Sequence, residues 1–318
     1  MSGRELAGRL VGTLGTLFGV AIVVFVVLRA LPGDSITAKL GTEAASLTEG
    51  QLAALERFYG LDQPLVTQFF TWLGGLLRGD LGVSLSTGTS VSTLIADALP
   101  VTVQLAVFAL LIALPLGVAL GVLAASRPGR PRDLTVQGFG LLGLAVPEFV
   151  IAAVCVALLA KVFGYLPDPG MYVSPFDSLD GNLRQMLYPS IVLAIGLTGT
   201  LMRTTRSAYL EVSRTEYVRT AKGKGATSGR IRMRHILHNA AIPITTMTGI
   251  QFGYLLGGTV IVEQVFALPG LGRLLLQGIQ EQDYAVVQSA TLIIAFAFVL
   301  VNLAVDLLYR VIDPRTRP

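Results

Sequence analysis

The chain has 318 residues, 53% of them hydrophobic and only 14% charged, where an ordinary soluble domain has about 25% charged. So few charges cannot clothe a soluble protein of this size, which all but excludes a soluble enzyme. The formal charge of +4 means little until the positions of the charges are known.

Six apolar stretches reach or approach the roughly 20 residues that cross a bilayer core. They lie at about 10–31, 100–125, 134–160, 185–202, 239–262 and 284–305. In lipid each must be helical, because every backbone group needs an internal partner. The expected fold is therefore all-α and polytopic, with the whole of 1–318 as one transmembrane domain. The first stretch would also suit a signal peptide. It is read as a span because Leu28-Arg29-Ala30-Leu31-Pro32 offers no small-x-small cleavage site.

Between the first two spans, 32–99 forms the longest outer segment. Thr48 and Gln51 make a capping box ahead of Leu52, Leu55 and Tyr59, with Gly60 as a stop. A second helix is expected to start near Pro64, to carry Phe69, Phe70, Trp72, Leu73 and Leu76, and to end at Gly79. Both read as short amphipathic helices on the outer surface. Arg78-Gly79-Asp80 spells an adhesion tripeptide, but a helix end accounts for it.

The third span is interrupted only by Glu148, directly after Pro147. An ionisable group at that depth is expensive and is a functional candidate by default. The alternative is a hydrogen-bonded carboxyl bracing a Pro147 kink. Cys155, in the same span, is the only cysteine, so no intrachain disulfide or multi-cysteine metal site exists. Gly15 and Gly19, Gly117 and Gly121, and Gly249, Gly253 and Gly257 recur at four-residue spacing. That spacing lets helices approach closely, within the subunit or against a partner.

The inner segment 203–238 holds nine basic residues and two acids. Leu210, Tyr217, Val218 and Ala221 keep helical spacing, Gly223 and Gly225 break it, and Ile231, Met233, Ile236 and Leu237 resume it. Helix, glycine turn, helix is the shape of a docking element for a soluble partner; the plainer reading is a basic loop against lipid headgroups. Lys222-Gly223-Lys224-Gly225 is too short for a phosphate-cradling loop, so any ATP is bound by another chain. His235 and His238 lack a third ligand, and no metal is expected.

Orientation follows from charge. With the amino terminus in the cytoplasm, the inner segments hold 17 of the 24 Lys and Arg, and the outer ones 13 of the 20 Asp and Glu. That is the positive-inside distribution, with both termini cytoplasmic. It sets the basic residues against the anionic inner leaflet and removes the case for nucleic acid.

Further motifs stand in order along nearly the whole chain. They are Leu31-Pro32-Gly33-Asp34, Trp72-Leu73-Gly74-Gly75-Leu76-Leu77-Arg78-Gly79-Asp80-Leu81-Gly82, and Glu216-Tyr217-Val218-Arg219-Thr220-Ala221-Lys222-Gly223-Lys224-Gly225. Arg234-His235-Ile236-Leu237-His238-Asn239-Ala240, Val262-Glu263-Gln264-Val265-Phe266, Leu268-Pro269-Gly270-Leu271-Gly272 and Asp313-Pro314-Arg315 follow. In these the chain resembles the first of the two permease subunits of bacterial ABC importers for di- and oligopeptides, a group that also includes nickel and glutathione importers.

The resemblance implies a six-helix permease of the bacterial inner membrane with no catalytic residues of its own. It implies pairing with a second, homologous permease and drive from two ATPase subunits, which hold the ATP and Mg. An extracytoplasmic solute-binding protein would deliver the peptide. Glu216, Arg219, Thr220, Ala221, Lys222, Gly223, Lys224 and Gly225 then correspond to the coupling helix that docks on the ATPase. Arg219-Thr220-Ala221 replaces the Glu-Ala-Ala of the general importer pattern, and only Ala221 and Gly225 keep their places. Glu263, Pro269, Gly270 and Gly272 fall in an outer loop near the binding protein or the pore. The rival reading, an ion-coupled secondary carrier acting alone, calls for several intramembrane charges or broken inverted repeats, and Glu148 is the one clear candidate.

The orientation is open to direct test. An impermeant thiol reagent added from outside should label a cysteine placed at Thr89 and spare one at Ser228; the reverse pattern would refute it.

Overall fold

The computed structural model describes residues 3–30, 48, 50, 51, 54, 57, 62–168 and 172–312. Leu31 to Asp34, Leu52, Leu55, Tyr59, Gly60 and Asp313 to Arg315 lie outside the described residues. The first helices are α1 (Gly3–Ala30), α2 (Leu65–Leu77), α3 (Val91–Ala125), α4 (Pro131–Ala145), α5 (Glu148–Phe163), α6 (Leu179–Ser213) and α7 (Glu216–Gly223). A turn at Ser228–Arg230 then leads through a π-helical stretch, Ile231–Leu237, into α8 (His238–Gly258). Last come α9 (Val260–Val265), α10 (Leu271–Gln280) and α11 (Tyr284–Ile312).

Among the described residues, four helices are long and apolar enough to cross a membrane: α1 from Val11, α3, α6, and α11 to Val305. A fifth is reached if α4 and α5 count as one span. They do not form the single kinked helix expected over 134–160, because their axes meet at 94°. Pro147 has no N–H to continue the ladder and its ring opposes the helix before it. Val146 is accordingly extended (φ −82°, ψ 124°), as a residue before proline prefers. The span expected at 185–202 is longer than its apolar core suggested. Ser178 caps it by accepting from the Gly181 N–H at 3.1 Å, and α6 then runs 35 residues to Ser213. Arg203, Arg206 and Leu210 therefore continue α6 and do not open a separate cytoplasmic helix. The stretch at 239–262 becomes α8, 21 residues long but richer in Thr, Gln and Gly than the four apolar helices.

Contacts divide the chain into two units. The first comprises 1–101 and 269–297. Here α2 starts after Pro64 and ends with Gly79 at φ +82°, as the local signals require. It packs along α1, not as an isolated surface helix: Phe69 is buried against Ala21, Phe25 and Leu292, with the Phe25 ring edge-on at 5.2 Å. Its other side is apolar too, with Val66, Phe70 and Leu77 exposed. The capping box ahead of it is formed, Thr48 N–H donating to Gln51 Oε1 at 2.9 Å and Gln51 N–H to Thr48 Oγ1 at 3.4 Å. Asp283 is fully buried and accepts from the hydroxyls of Ser84 (2.6 Å) and Ser86 (3.1 Å), pinning the 82–90 turn to the start of α11.

The second unit, 102–268 and 298–318, is organised around α6. Of the most apolar window of α6, 56% is buried, against at most 33% in the other three spans, so α6 is the core helix. Glycine sets how closely its neighbours come. A methyl on Gly121 of α3 would lie 2.7 Å from the Met202 carbonyl oxygen, and one on Gly199 would lie 2.6 Å from that of Gly140 in α4. Gly249 and Gly253 of α8 are covered by side chains instead, those of Val305 and Phe298 of α11. Among the described residues, Gly15 and Gly19 meet nothing within 4 Å, so no packing role of the repeat in α1 is seen there.

This contrast gives a stability prediction. Gly121→Ala should destabilise the folded subunit by roughly 1–3 kcal/mol, since a backbone carbonyl cannot yield. Gly19→Ala should stay within about 0.5 kcal/mol. Thermal unfolding in detergent distinguishes them, and equal behaviour would refute the packing argument.

Candidate coupling surface and intramembrane carboxylate

The segment after α6 is short of apolar residues, and one side chain holds it. Val218 is fully buried among Ala125, Tyr209, Ile231 and Ile236, with Ala226 packed alongside. Around it, Glu216, Arg219, Thr220, Lys222, Gly223, Lys224 and Gly225 are exposed and Ala221 is half-buried. The exposed Glu216–Arg219 pair at 2.9 Å adds little stability. The seven exposed coupling candidates thus form one polar surface.

A Schellman motif closes α7. Ala226 N–H donates to Ala221 C=O at 3.2 Å and Gly225 N–H to Lys222 C=O at 3.0 Å, with Gly225 at φ +79°. Such an end needs a left-handed residue, and glycine takes that conformation without strain. A Cβ on Gly225 would meet nothing of this chain within 4 Å. Ala221 and Gly225, the two positions retained from the general importer pattern, are the acceptor and the left-handed residue of this motif.

The winding then changes. Buried Ile231 and Ile236 are five apart, which in an α-helix would set them about 140° from each other. The π-helical stretch, bonded i to i+5, carries both into the Val218 cluster. Met233, expected on the same face, is 68% exposed. The His235 carbonyl accepts from Tyr217 Oη at 3.2 Å and from Asn239 Nδ2 at 2.8 Å.

Two polar constellations had no local signal in sequence. Asp133, buried at the start of α4, takes a bidentate ion pair from Arg206 at 2.8 Å, plus the Gly129 N–H and Gln137 Nε2, each at 2.8 Å. Near the start of α6, Asn182 and Gln104 exchange side-chain hydrogen bonds, and Tyr172 Oη donates to Gln104 Oε1 at 2.6 Å. Burial pushes the Tyr172 phenol above its ordinary value.

Glu148 opens α5 just past the 94° break. It is exposed, as are Val146, Pro147, Phe149 and Val150 around it. Glu263 is not in an outer loop as expected. It lies within α9, fully buried, its Oε1 accepting from Thr102 and Thr259 hydroxyls at 2.7 Å each. The turn after it places Ala267 at φ +55°. Of the other three expected outer residues, Gly270 and Gly272 are buried at the start of α10 and Pro269 is half-exposed.

Residues 117–318 match the family described as "Binding-protein-dependent transport system inner membrane component", and 3–106 match the N-terminal component of such systems. The chain belongs to this family. It is thus a multi-pass protein of the inner membrane with the helical permease fold. Relatives include a putative peptide transport system permease of Brucella abortus, 41% identical over 94% of both chains. A probable peptide ABC transporter permease of Sinorhizobium fredii is 37% identical over 99% of both. A glutathione transport system permease of Salmonella choleraesuis is 36% identical over 97% of both. Among solved structures, an inward-facing methionine ABC transporter covers 69% of this chain with 96% of its own (TM-score 0.56, 18% identity). An amino acid ABC transporter gives TM-score 0.53 at 16% identity, over 69% of this chain and 94% of its own.

The anchoring of α7 has a measurable consequence. Val218→Ala should cost roughly 2 kcal/mol of local stability and speed hydrogen exchange across Glu216–Ala226 while the spans keep their protection. Unchanged exchange in that segment would refute the anchor.

Proposed function

We propose that this chain is one of two paired permeases of an ATP-driven importer of di- or oligopeptides. It crosses the membrane six times, α8 included, as a single permease domain with both termini in the cytoplasm. It holds no catalytic centre and no cofactor: two ATPase subunits bind ATP and Mg, and an extracytoplasmic binding protein delivers the peptide. Peptide as cargo is carried over from the names of the Brucella and Sinorhizobium relatives.

The observation that carries the reading is the α7 surface. A polar helix of eight residues, anchored from beneath by Val218 and ended by a glycine turn, presents Glu216, Arg219, Thr220, Lys222, Gly223, Lys224 and Gly225 outward for the ATPase. Ala221 seats the helix. On the outer side, Pro269 remains available for contact with the binding protein, while Glu263, Gly270 and Gly272 serve packing. The open face of Gly15 and Gly19 on α1 receives the partner permease.

Gly225→Leu tests the docking assignment. It forces a branched residue into a left-handed turn at a cost of about 1–2 kcal/mol and projects a side chain into the space where the ATPase would sit. Substrate-stimulated ATP hydrolysis by the assembled complex should fall sharply while membrane insertion of the subunit stays normal. Wild-type transport by the variant would overturn the assignment.

A further inference from the structure

We propose that α3, α4 and α6 hold one anionic phospholipid. Its phosphodiester head sits in an arginine cradle at the α3–α4 turn, and one acyl chain lies in the groove beneath. The inference needs only the membrane setting and stands whatever the cargo is.

The cradle is a cleft of about 580 Å³ lined by Arg127, Arg130 and Arg132 with Pro128 and Pro131. Among the described residues no carboxylate pairs with any of the three arginines. Asp133, next in the chain, is buried and spent on Arg206, and it accepts the Gly129 N–H at 2.8 Å. That bond, Gly129 at φ +74° and the two flanking prolines fix the turn while leaving its cations open. The chain carries no charge from Ala98 to Ser126 or from Leu134 to Pro147. The arginines thus stand where two apolar helices leave the hydrocarbon, at the level of lipid headgroups.

The groove is the second, independent observation. About 250 Å³ of almost wholly apolar space is walled by Leu116 and Leu120 of α3, Phe139 of α4, and Ile191 and Ile195 of α6. Gly117 and Gly121 of α3 meet Leu201 and Thr205 of α6, while Gly140 and Asp133 of α4 meet Met202 and Arg206. The three helices therefore run together from the groove to the turn. Arg132 stands two turns before Phe139 on one face of α4, a distance of about 10 Å. An acyl chain spans about 15 Å, half the thickness of the hydrocarbon core.

Charge and shape select the occupant. Guanidinium groups bind phosphate oxygens in bidentate pairs, and basic pockets between membrane helices suit anionic headgroups. One turn of a partner helix, about 10 Å across and 5.4 Å tall, fills on the order of 400 Å³. The groove is smaller and takes a slender chain. A phospholipid joins such a chain to a phosphate in one molecule, as an acidic protein loop does not.

The test titrates the detergent-solubilised full chain, alone and in its assembled complex, with phosphatidylglycerol or phosphatidylcholine, read by native mass spectrometry. Phosphatidylglycerol should bind more tightly. Arg127→Gln, Arg130→Gln and Arg132→Gln should each reduce that preference about fivefold, the scale of one basic residue at an anionic surface. Leu116→Trp should fill the groove and weaken both lipids alike. Glycerol 3-phosphate, a head without chains, should fail to displace the lipid. Equal binding of the two lipids, or wild-type behaviour of the arginine variants or of Leu116→Trp, would overturn the proposal. So would displacement by equimolar glycerol 3-phosphate, which would make the cradle a free-phosphate site. Loss of lipid binding on assembly of the complex would also overturn it, by assigning the surface to a protein partner.

Discussion

Close backbone approach to α6 is the constraint on which the second unit depends. Lipid tails are as apolar as leucine side chains, so no hydrophobic force sorts helix from helix inside a bilayer. Dispersion contacts must supply the attraction, and they need surfaces that fit. Gly121 against Met202 and Gly140 against Gly199 bring main chains together where any side chain would hold them apart. The same contacts crowd α4 onto α6.

Polar groups then complete what glycine packing begins. Asp133 would be costly to bury alone, but Arg206 and two further donors satisfy both its oxygens. Glu263 has two threonine hydroxyls on one oxygen. Removing either partner of a buried pair leaves an uncompensated charge, so these groups specify which helices meet. Their placement also separates roles among the acids: Asp133, Glu263 and Asp283 are consumed by structure, whereas Glu148 stays exposed.

Much of this was legible in the sequence wherever the cause is local. Pro64 and Gly79 bounded α2, and Gly225 announced a left-handed turn, because each acts through its own backbone. The capping of Thr48 by Gln51 was readable for the same reason. The Asp133–Arg206 pair was not, since its partners are 73 residues apart. Pro147 signalled a break but not its angle, which depends on how α4 packs on α6. Glu263 was misread because Pro269 and Gly270 nearby suggest a loop, while Ala267, a residue without turn preference, takes the left-handed position. Met233 was placed inward by counting α-helical turns through a stretch wound differently.

That winding reaches beyond the α7 segment. Ile231–Leu237 runs without interruption into α8, and a π-turn takes up one residue more than an α-turn between bonded partners. Each extra residue shifts the phase of everything downstream by about 100°. Which edge of α8 meets α11, with Gly249 under Val305 and Gly253 under Phe298, is thus indexed by seven residues at its N-terminal end. The segment that seats α7 is also the screw thread that sets the rotation of α8.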